Sequence, residues 1–238
     1  DFYPVPIATL VSKEYARFRF QDFQPSKASR SESIEAGQIP FESLETTHLS
    51  TMDAQGNAVA LTTTLNGGYG ARIVVEGAGF LLNNEMDDFS AKPNTMNMYQ
   101  LLGREANSIA PGKRMLSSMT PTIVSKEGEV VLVTGSPGGS TIITTVLQVV
   151  SNVIDHGMGL SDAVAHPRFH HQWLPDSILV EKKGFSLDSI RVLQEMGHRK
   201  PRVMTYGRGI GDANSIMRVD DELRGVSDPR NIGGAAGY

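Results

Sequence analysis

Polar and apolar residues alternate through THLSTMD and again through AVALTTTL, with AQGN between them. That pattern predicts strand, tight turn, strand, with Gly56-Asn57 suited to the hairpin. A second pair follows in MTPTIVS and VVLVTGS, joined at KEGE, and a third in SIMRVDDELRGVSD, which turns at Asp220-Asp221. Between them, STIITTVLQVVSNVID is apolar over most of its length from Ser140 to Asp155. That is too long for an ordinary strand and predicts a buried helix, which His156-Gly157 would end. Ser161 can cap a short helix running to Val164, ahead of Pro167. SLDSIRVLQEMGH has helical spacing, with Ile190, Val192 and Leu193 inward and Gly197 as the stop.

The first 45 residues follow another pattern. In residues 1–23, Leu10, Tyr15, Phe18 and Phe23 can line one side of a short helix. Residues 24–45 are rich in Ser and charge and poor in large apolar side chains. They read as an exposed linker, the kind of segment at which chains are cut. There is no internal repeat. Paired strands with helices between and after them, and few clear βαβ units, predict an α+β fold in which helices cover antiparallel sheet.

Composition narrows the function classes. Of the 238 residues, 39% are hydrophobic and 20% charged, and the net charge is −4. With no long run of one sign, nothing points to nucleic acid or an anionic membrane as partner. No apolar run reaches the ~18 residues of a membrane span. The absence of cysteine removes thiol nucleophiles, thiolate metal sites and disulfides.

Four stretches could carry chemistry. Glu45-Thr46-Thr47-His48 sits where the linker meets the first strand. An internal Thr hydroxyl is a poor nucleophile, but cleavage before Thr46 would give it a free α-amine titrating near ~7.7–8.0. Nucleophile and base would then belong to one residue. Read alone, a Thr-Thr pair at a strand start is also an ordinary β-former. Thr134-Gly135-Ser136-Pro137-Gly138-Gly139-Ser140 joins a strand to the long helix. Adjacent glycines there could hold a phosphate or an oxyanion, or simply make a tight turn. The loop lacks the lysine of a P-loop. Asn83 to Phe89 is dense in amide and carboxylate groups that could receive an ammonium; it lacks the spacing of a calcium loop. Ser117-Ser118, near Lys113-Arg114, could receive a carboxylate. His166, His170 and His171 flank Pro167-Arg168-Phe169, and the proline argues against a shared helical face for a metal. No residue pattern calls for a metal or other cofactor.

Taken in order, TTHLSTMDAQGNAVALTTTLN, LLNNEMDDFSAKPN, GKRMLSSMTPTIV, TGSPGGSTIITTVLQVVSNVID, PRFHHQWLPD and SDPR resemble the gamma-glutamyltranspeptidase family. The resemblance covers about residues 40–238. It implies an N-terminal-nucleophile hydrolase with an αββα four-layer sandwich, made as a precursor that cuts itself into a large and a small subunit. By that resemblance residues 1–45 are the end of the large subunit with the processing linker, and residues 46–238 are the small catalytic subunit. The cut falls between Glu45 and Thr46. Thr46 resembles the nucleophile, Thr64 the Thr that orients it, and Gly138 and Gly139 the oxyanion glycines. Asn66, Glu85 and Asp88 match residues that hold the substrate α-amino group, and Ser117 and Ser118 the pair at its α-carboxylate. Residues from about Lys92 to Arg104, with Tyr99, resemble the lid loop.

The implied activity is cleavage of gamma-glutamyl amides such as glutathione, with transfer to water, an amino acid or a peptide, and without a cofactor. The implied location is periplasmic or extracellular. Two departures stand out. Glu85 occupies a position where family members frequently carry Gln. The large subunit, several hundred residues longer than the 45 found here, supplies the Arg for the α-carboxylate, so it is the expected partner. Three other readings share these residues: a polyglutamate depolymerase or glutaryl-cephalosporin acylase, a non-catalytic binding module, and a phosphate-binding protein.

Overall fold

The computed structural model describes residues 6–34, 46–93, 95, 103–182, 184–207 and 209–237. The chain opens with two short helices, α1 (Ile7–Leu10) and α2 (Lys13–Arg19), the second capped by Ser12. They correct the expected single helix. Leu10, Phe18 and Phe23 are exposed, and Phe23 lies past the end of α2. Nor is the segment after them uniformly exposed. Ser31 is buried, and its carbonyl accepts the Trp173 indole N–H at 2.6 Å. The rest of the expected linker, from residue 35, lies outside the described residues.

Strands β1 (Thr46–Met52) and β2 (Ala58–Thr64) form the predicted hairpin, in antiparallel register from Thr46↔Thr64 to Met52↔Ala58. Period-2 alternation sorts their faces. Thr46, His48 and Ser50 share one face of β1, while Leu49, Val59 and Leu61 are exposed on the other face of the pair.

Strands β3 (Thr122–Lys126) and β4 (Glu129–Thr134) pair through Glu127 and Gly128, both in the left-handed region that a two-residue hairpin turn requires. β4 then pairs with β8 (Ser215–Val219) and β8 with β9 (Glu222–Val226), giving the sheet order β3-β4-β8-β9. Asp220-Asp221 makes the last turn, as predicted.

Helix α3 (Thr141–Ile154) packs one stripe inward: Ile142, Thr145, Val146 and Val149. Val149 meets Leu132, Ala213, and Leu160 and Val164 of α4 (Leu160–Ala165) in the core. Burying each such aliphatic side chain contributes about 2 kcal/mol. Gly159, not Ser161, caps α4; Ser161 lies within it.

Three short strands escaped the sequence reading: β5 (Phe169–His170), β6 (Leu179–Glu181) and β7 (Arg202–Met204). β6 and β7 are parallel, with α5 (Leu187–Glu195) between them, so a βαβ unit exists where few were expected. Two or three residues carry too little periodicity to be seen. On α5, Ile190 is buried and Leu193 partly so, but Val192 is exposed, because two residues on a helix are ~200° apart. The mixed, largely antiparallel architecture is of the α+β class.

One charged cluster ties the far ends of this fold together. Arg168, just before β5, bonds Asp228 at 2.7 Å; Arg230 bonds Glu181 at 2.6 Å and Asp228 at 3.1 Å. All four side chains are at most 2% exposed. Other guanidinium donors reach the carbonyls of Val164, His166 and Ile210, while Arg168 Nε has no partner among the described residues. Asp228 also accepts the Ala213 N–H at 2.7 Å. Arg230 lies 4.4 Å above the Tyr206 ring. Burial pushes the Arg168 guanidinium below its ordinary value, against the pull of Asp228.

Candidate functional site

Thr46 begins β1 and faces Thr64, the last residue of β2, because the register places them directly opposite. The Thr46 hydroxyl donates to Thr64 Oγ1 at 3.1 Å. Thr64 Oγ1 also accepts the Asn66 N–H at 2.9 Å. Asn66 is buried in a left-handed turn, φ 68°, a conformation asparagine tolerates better than most residues.

From Asn66 the hydrogen bonds continue. Its amide donates to the Asn84 carbonyl at 3.3 Å, while Asn84 Oδ1 accepts the Gly67 N–H at 2.7 Å. Asn84 precedes the 3-10 turn Glu85–Asp88, which presents half-buried Glu85 and buried Asp88. The Asp88 carbonyl then accepts the Asn107 amide at 2.7 Å, and Asn107 Oδ1 accepts the Leu116 N–H at 3.0 Å. Leu116 leads into Ser117, exposed, and Ser118, buried. One row of hydrogen bonds therefore runs from Thr46 past Asn66 and the Glu85–Asp88 turn to Leu116, next to the serine pair.

Of the two connectors, Asn84 lies in the polar stretch from Asn83 to Phe89 read from the sequence as a possible ammonium site, and Asn107 was not singled out. Its signal is weak, since it is one amide in a loop. The cationic neighbour expected beside the serines divides differently: Lys113 Nζ donates to the Ala106 and Ser108 carbonyls, at 2.8 and 2.9 Å. Glu45 and Tyr99, with most of the expected lid, lie outside the described residues.

The glycine loop meets this row through β1. His48 is buried with its ring flat against Gly135, where any Cβ would overlap it. Its nitrogens face Thr62 Oγ1 at 2.8 Å and Ser50 Oγ at 3.0 Å. Ser50 in turn donates to the Asn214 carbonyl at 2.8 Å, and Asn214 N–H donates to the Gly135 carbonyl at 3.2 Å. Burial pushes the His48 ring down to about 4, so it is neutral at ordinary pH. Beside it, Thr46 and Pro137 line a cleft of about 510 Å³ that Asp212 and residues 231–236 close.

Two neighbouring histidines are held within the scaffold. His170 is buried between Thr144 Oγ1 and Gln172 Oε1, at 2.8 and 3.0 Å, and His171 pairs with Asp176 at 3.2 Å.

The Gamma-glutamyltranspeptidase family profile matches residues 1–238. The chain belongs to the gamma-glutamyltranspeptidase family. The glutathione hydrolase proenzyme of Escherichia coli (strain K12) is 50% identical over 241 residues, covering all of this chain and 41% of that protein. The proenzyme of Pseudomonas sp. (strain A14) is 43% identical, again over all of this chain and 43% of its own length. The chain thus spans about two fifths of the curated relatives it matches. Among solved structures, gamma-glutamyltranspeptidase from Pseudomonas nitroreducens, complexed with L-DON, superposes with TM-score 0.74 at 45% identity. That match covers 81% of this chain and 99% of the other. A cephalosporin acylase from Bacillus halodurans superposes with TM-score 0.75 at 26% identity, over 98% of this chain and 40% of that one.

Proposed function

We propose that this gamma-glutamyltranspeptidase chain acts on gamma-glutamyl amides such as glutathione, using Thr46 as an N-terminal nucleophile freed by cleavage after Glu45. The observation that carries the reading is the Thr46–Thr64–Asn66 contact at the head of a hydrogen-bonded row that ends at Leu116, next to Ser117 and Ser118. An ammonium suits the amide and carboxylate groups of Asn66, Glu85 and Asp88. A carboxylate suits the hydroxyls of Ser117 and Ser118, together with an Arg from the large subunit. Holding both ends of the glutamyl α-carbon would present the side-chain amide to Thr46.

The Thr46 hydroxyl would pass its proton to its own α-amine as Oγ1 bonds to the amide carbon. Gly138 and Gly139 N–H groups would stabilise the oxyanion. Its collapse would break the C–N bond, and the proton would leave with the departing amine. The ester so formed would be opened by water, an amino acid or a peptide.

The large subunit is the proposed partner. The exposed Leu49, Val59 and Leu61 leave an apolar sheet face for it to cover, and that docking would complete the four layers of an αββα sandwich. The division at 45/46 and a periplasmic or extracellular location belong to the same proposal and rest on the family resemblance. Support for self-cleavage comes from the curated relatives, which are proenzymes.

The test is Thr46→Ala in the full-length protein. Intact mass should show an uncut chain, and turnover of a gamma-glutamyl anilide should vanish. Normal processing and turnover would overturn the reading. An acylase specificity has one observation in its favour: Acylase ACY 1 proenzyme of Pseudomonas sp. (strain SE83) is 38% identical over 95% of this chain. Rates on glutathione and on a glutaryl amide separate the two.

A further inference from the structure

The Gly138 and Gly139 N–H groups can stabilise an oxyanion only if they point at it together, and the loop contains a device for aiming them. A peptide unit is planar, and in its trans form the C=O and the N–H point in opposite directions. Holding the carbonyl therefore aims the N–H. Both peptides in question are trans.

In the first, the Pro137 carbonyl accepts the Ser136 hydroxyl at 2.5 Å. Ser136 is fully buried, and its oxygen accepts the Asp212 N–H at 2.8 Å, which fixes the hydroxyl itself. In the second, the Gly138 carbonyl accepts the Thr141 hydroxyl at 2.8 Å and the Thr141 N–H at 3.1 Å. The two N–H groups on the other side of these peptides, those of Gly138 and Gly139, have no hydrogen-bond partner among the described residues. Gly211 makes the arrangement fit. It sits at φ +66°, and a Cβ there would run into Thr145 and Ser136. Gly138, at φ +135°, is packed as closely against Thr141 and Gly211.

We propose that Ser136 and Thr141 are positioning residues that aim the Gly138 and Gly139 N–H groups at the reacting carbonyl oxygen. The proposal rests on the oxyanion reading of the glycine pair given above. Neither side chain touches substrate. Each acts through one peptide plane, so each matters when charge builds on the oxygen and little when substrate merely binds.

The test uses the full-length, processed protein carrying Ser136→Ala, Ser136→Cys or Thr141→Val. Two ligands are compared: glutamate, and a gamma-glutamyl boronic acid analogue whose boron takes the Thr46 oxygen as fourth ligand and becomes a tetrahedral anion. Ser136→Ala should lower kcat on a gamma-glutamyl anilide by roughly 10²-fold with KM within about twofold. Boronate affinity should fall in step while glutamate affinity holds. Thr141→Val, which keeps the backbone N–H bond to Gly138, should show the same split at about tenfold. Ser136→Cys keeps the volume but donates weakly, and should fall between wild type and alanine. Should the Ser136 variants fail to fold, the isosteric Thr141→Val carries the test alone. A wild type that prefers boronate, with variants that keep the full preference or change only KM, overturns the positioning role while leaving the oxyanion site standing. A wild type with no preference for boronate over glutamate overturns the oxyanion reading, and the positioning role with it.

Discussion

Two polar regions of this chain, one fully buried and one only partly so, are built from opposite materials. The cluster of Arg168, Glu181, Asp228 and Arg230 uses four full charges, closely paired. The row from Thr46 to Leu116, next to the serine pair, is held by hydroxyls, amides and backbone groups. Charges in a dry interior are costly, and satisfied pairs hold their partners to one geometry. That suits a clamp joining the loop before β5, β6 and the segment after β9. A neutral row holds side chains in place without the cost of burying paired charges. Charge secures the scaffold; neutral hydrogen bonds arrange the site.

Removing one member of the clamp should have the largest effect. Asp228→Ala leaves two buried guanidiniums without their shared partner, and should cost about 3–5 kcal/mol. Thermal unfolding of the full-length protein would read this as a midpoint lower by ~3 °C. The comparison breaks if the midpoint holds and only kcat changes. Thr64→Val attacks the neutral row. It should lower kcat by about 10–10²-fold, near 2 kcal/mol of barrier, with the melting midpoint little altered. A lower midpoint with normal kcat would mean that Thr64 is scaffold. Asn107→Ala cuts the row between Asp88 and Leu116, and should raise KM by several-fold more than it lowers kcat.

His48, packed against Gly135, gives a pH signature. Its folded pKa of about 4 is below the usual ~6.5, so the unfolded chain takes up the proton first. The stability contributed by burying the neutral ring is fully present above pH ~6.5 and declines as pH falls toward 4. Melts across that window should drop more steeply for wild type than for His48→Gln. Equal slopes would remove His48 from the account. The smallest effect belongs to Val192→Ser, on the exposed side of α5, at no more than ~0.5 kcal/mol.

The sequence pattern was most informative where elements are long or alternate cleanly. The hairpins β1–β2, β3–β4 and β8–β9 and helix α3 follow from it directly. It was least informative for β5, β6 and β7, whose existence depends on pairing partners distant in the chain. The site shows the same division. Thr46, Thr64 and the glycine pair stand on predicted elements. Asn84, Asn107 and Ser136 gain meaning only from carbonyls and N–H groups brought to them by the fold. Likewise Arg168 in PRFHHQWLPD and Asp228 and Arg230 in SDPR belong to the resemblance, yet nothing local shows that the two stretches are halves of one clamp.

The contact between His48 and Gly135 also limits how such a protein can vary over time. The two positions are 87 residues apart in the chain and share one volume. Alanine at Gly135 has no room while His48 keeps its ring, and a smaller residue at His48 opens a hole that Gly135 cannot fill. Neither can change well alone, so inheritance should treat the pair as one character, altered together or not at all.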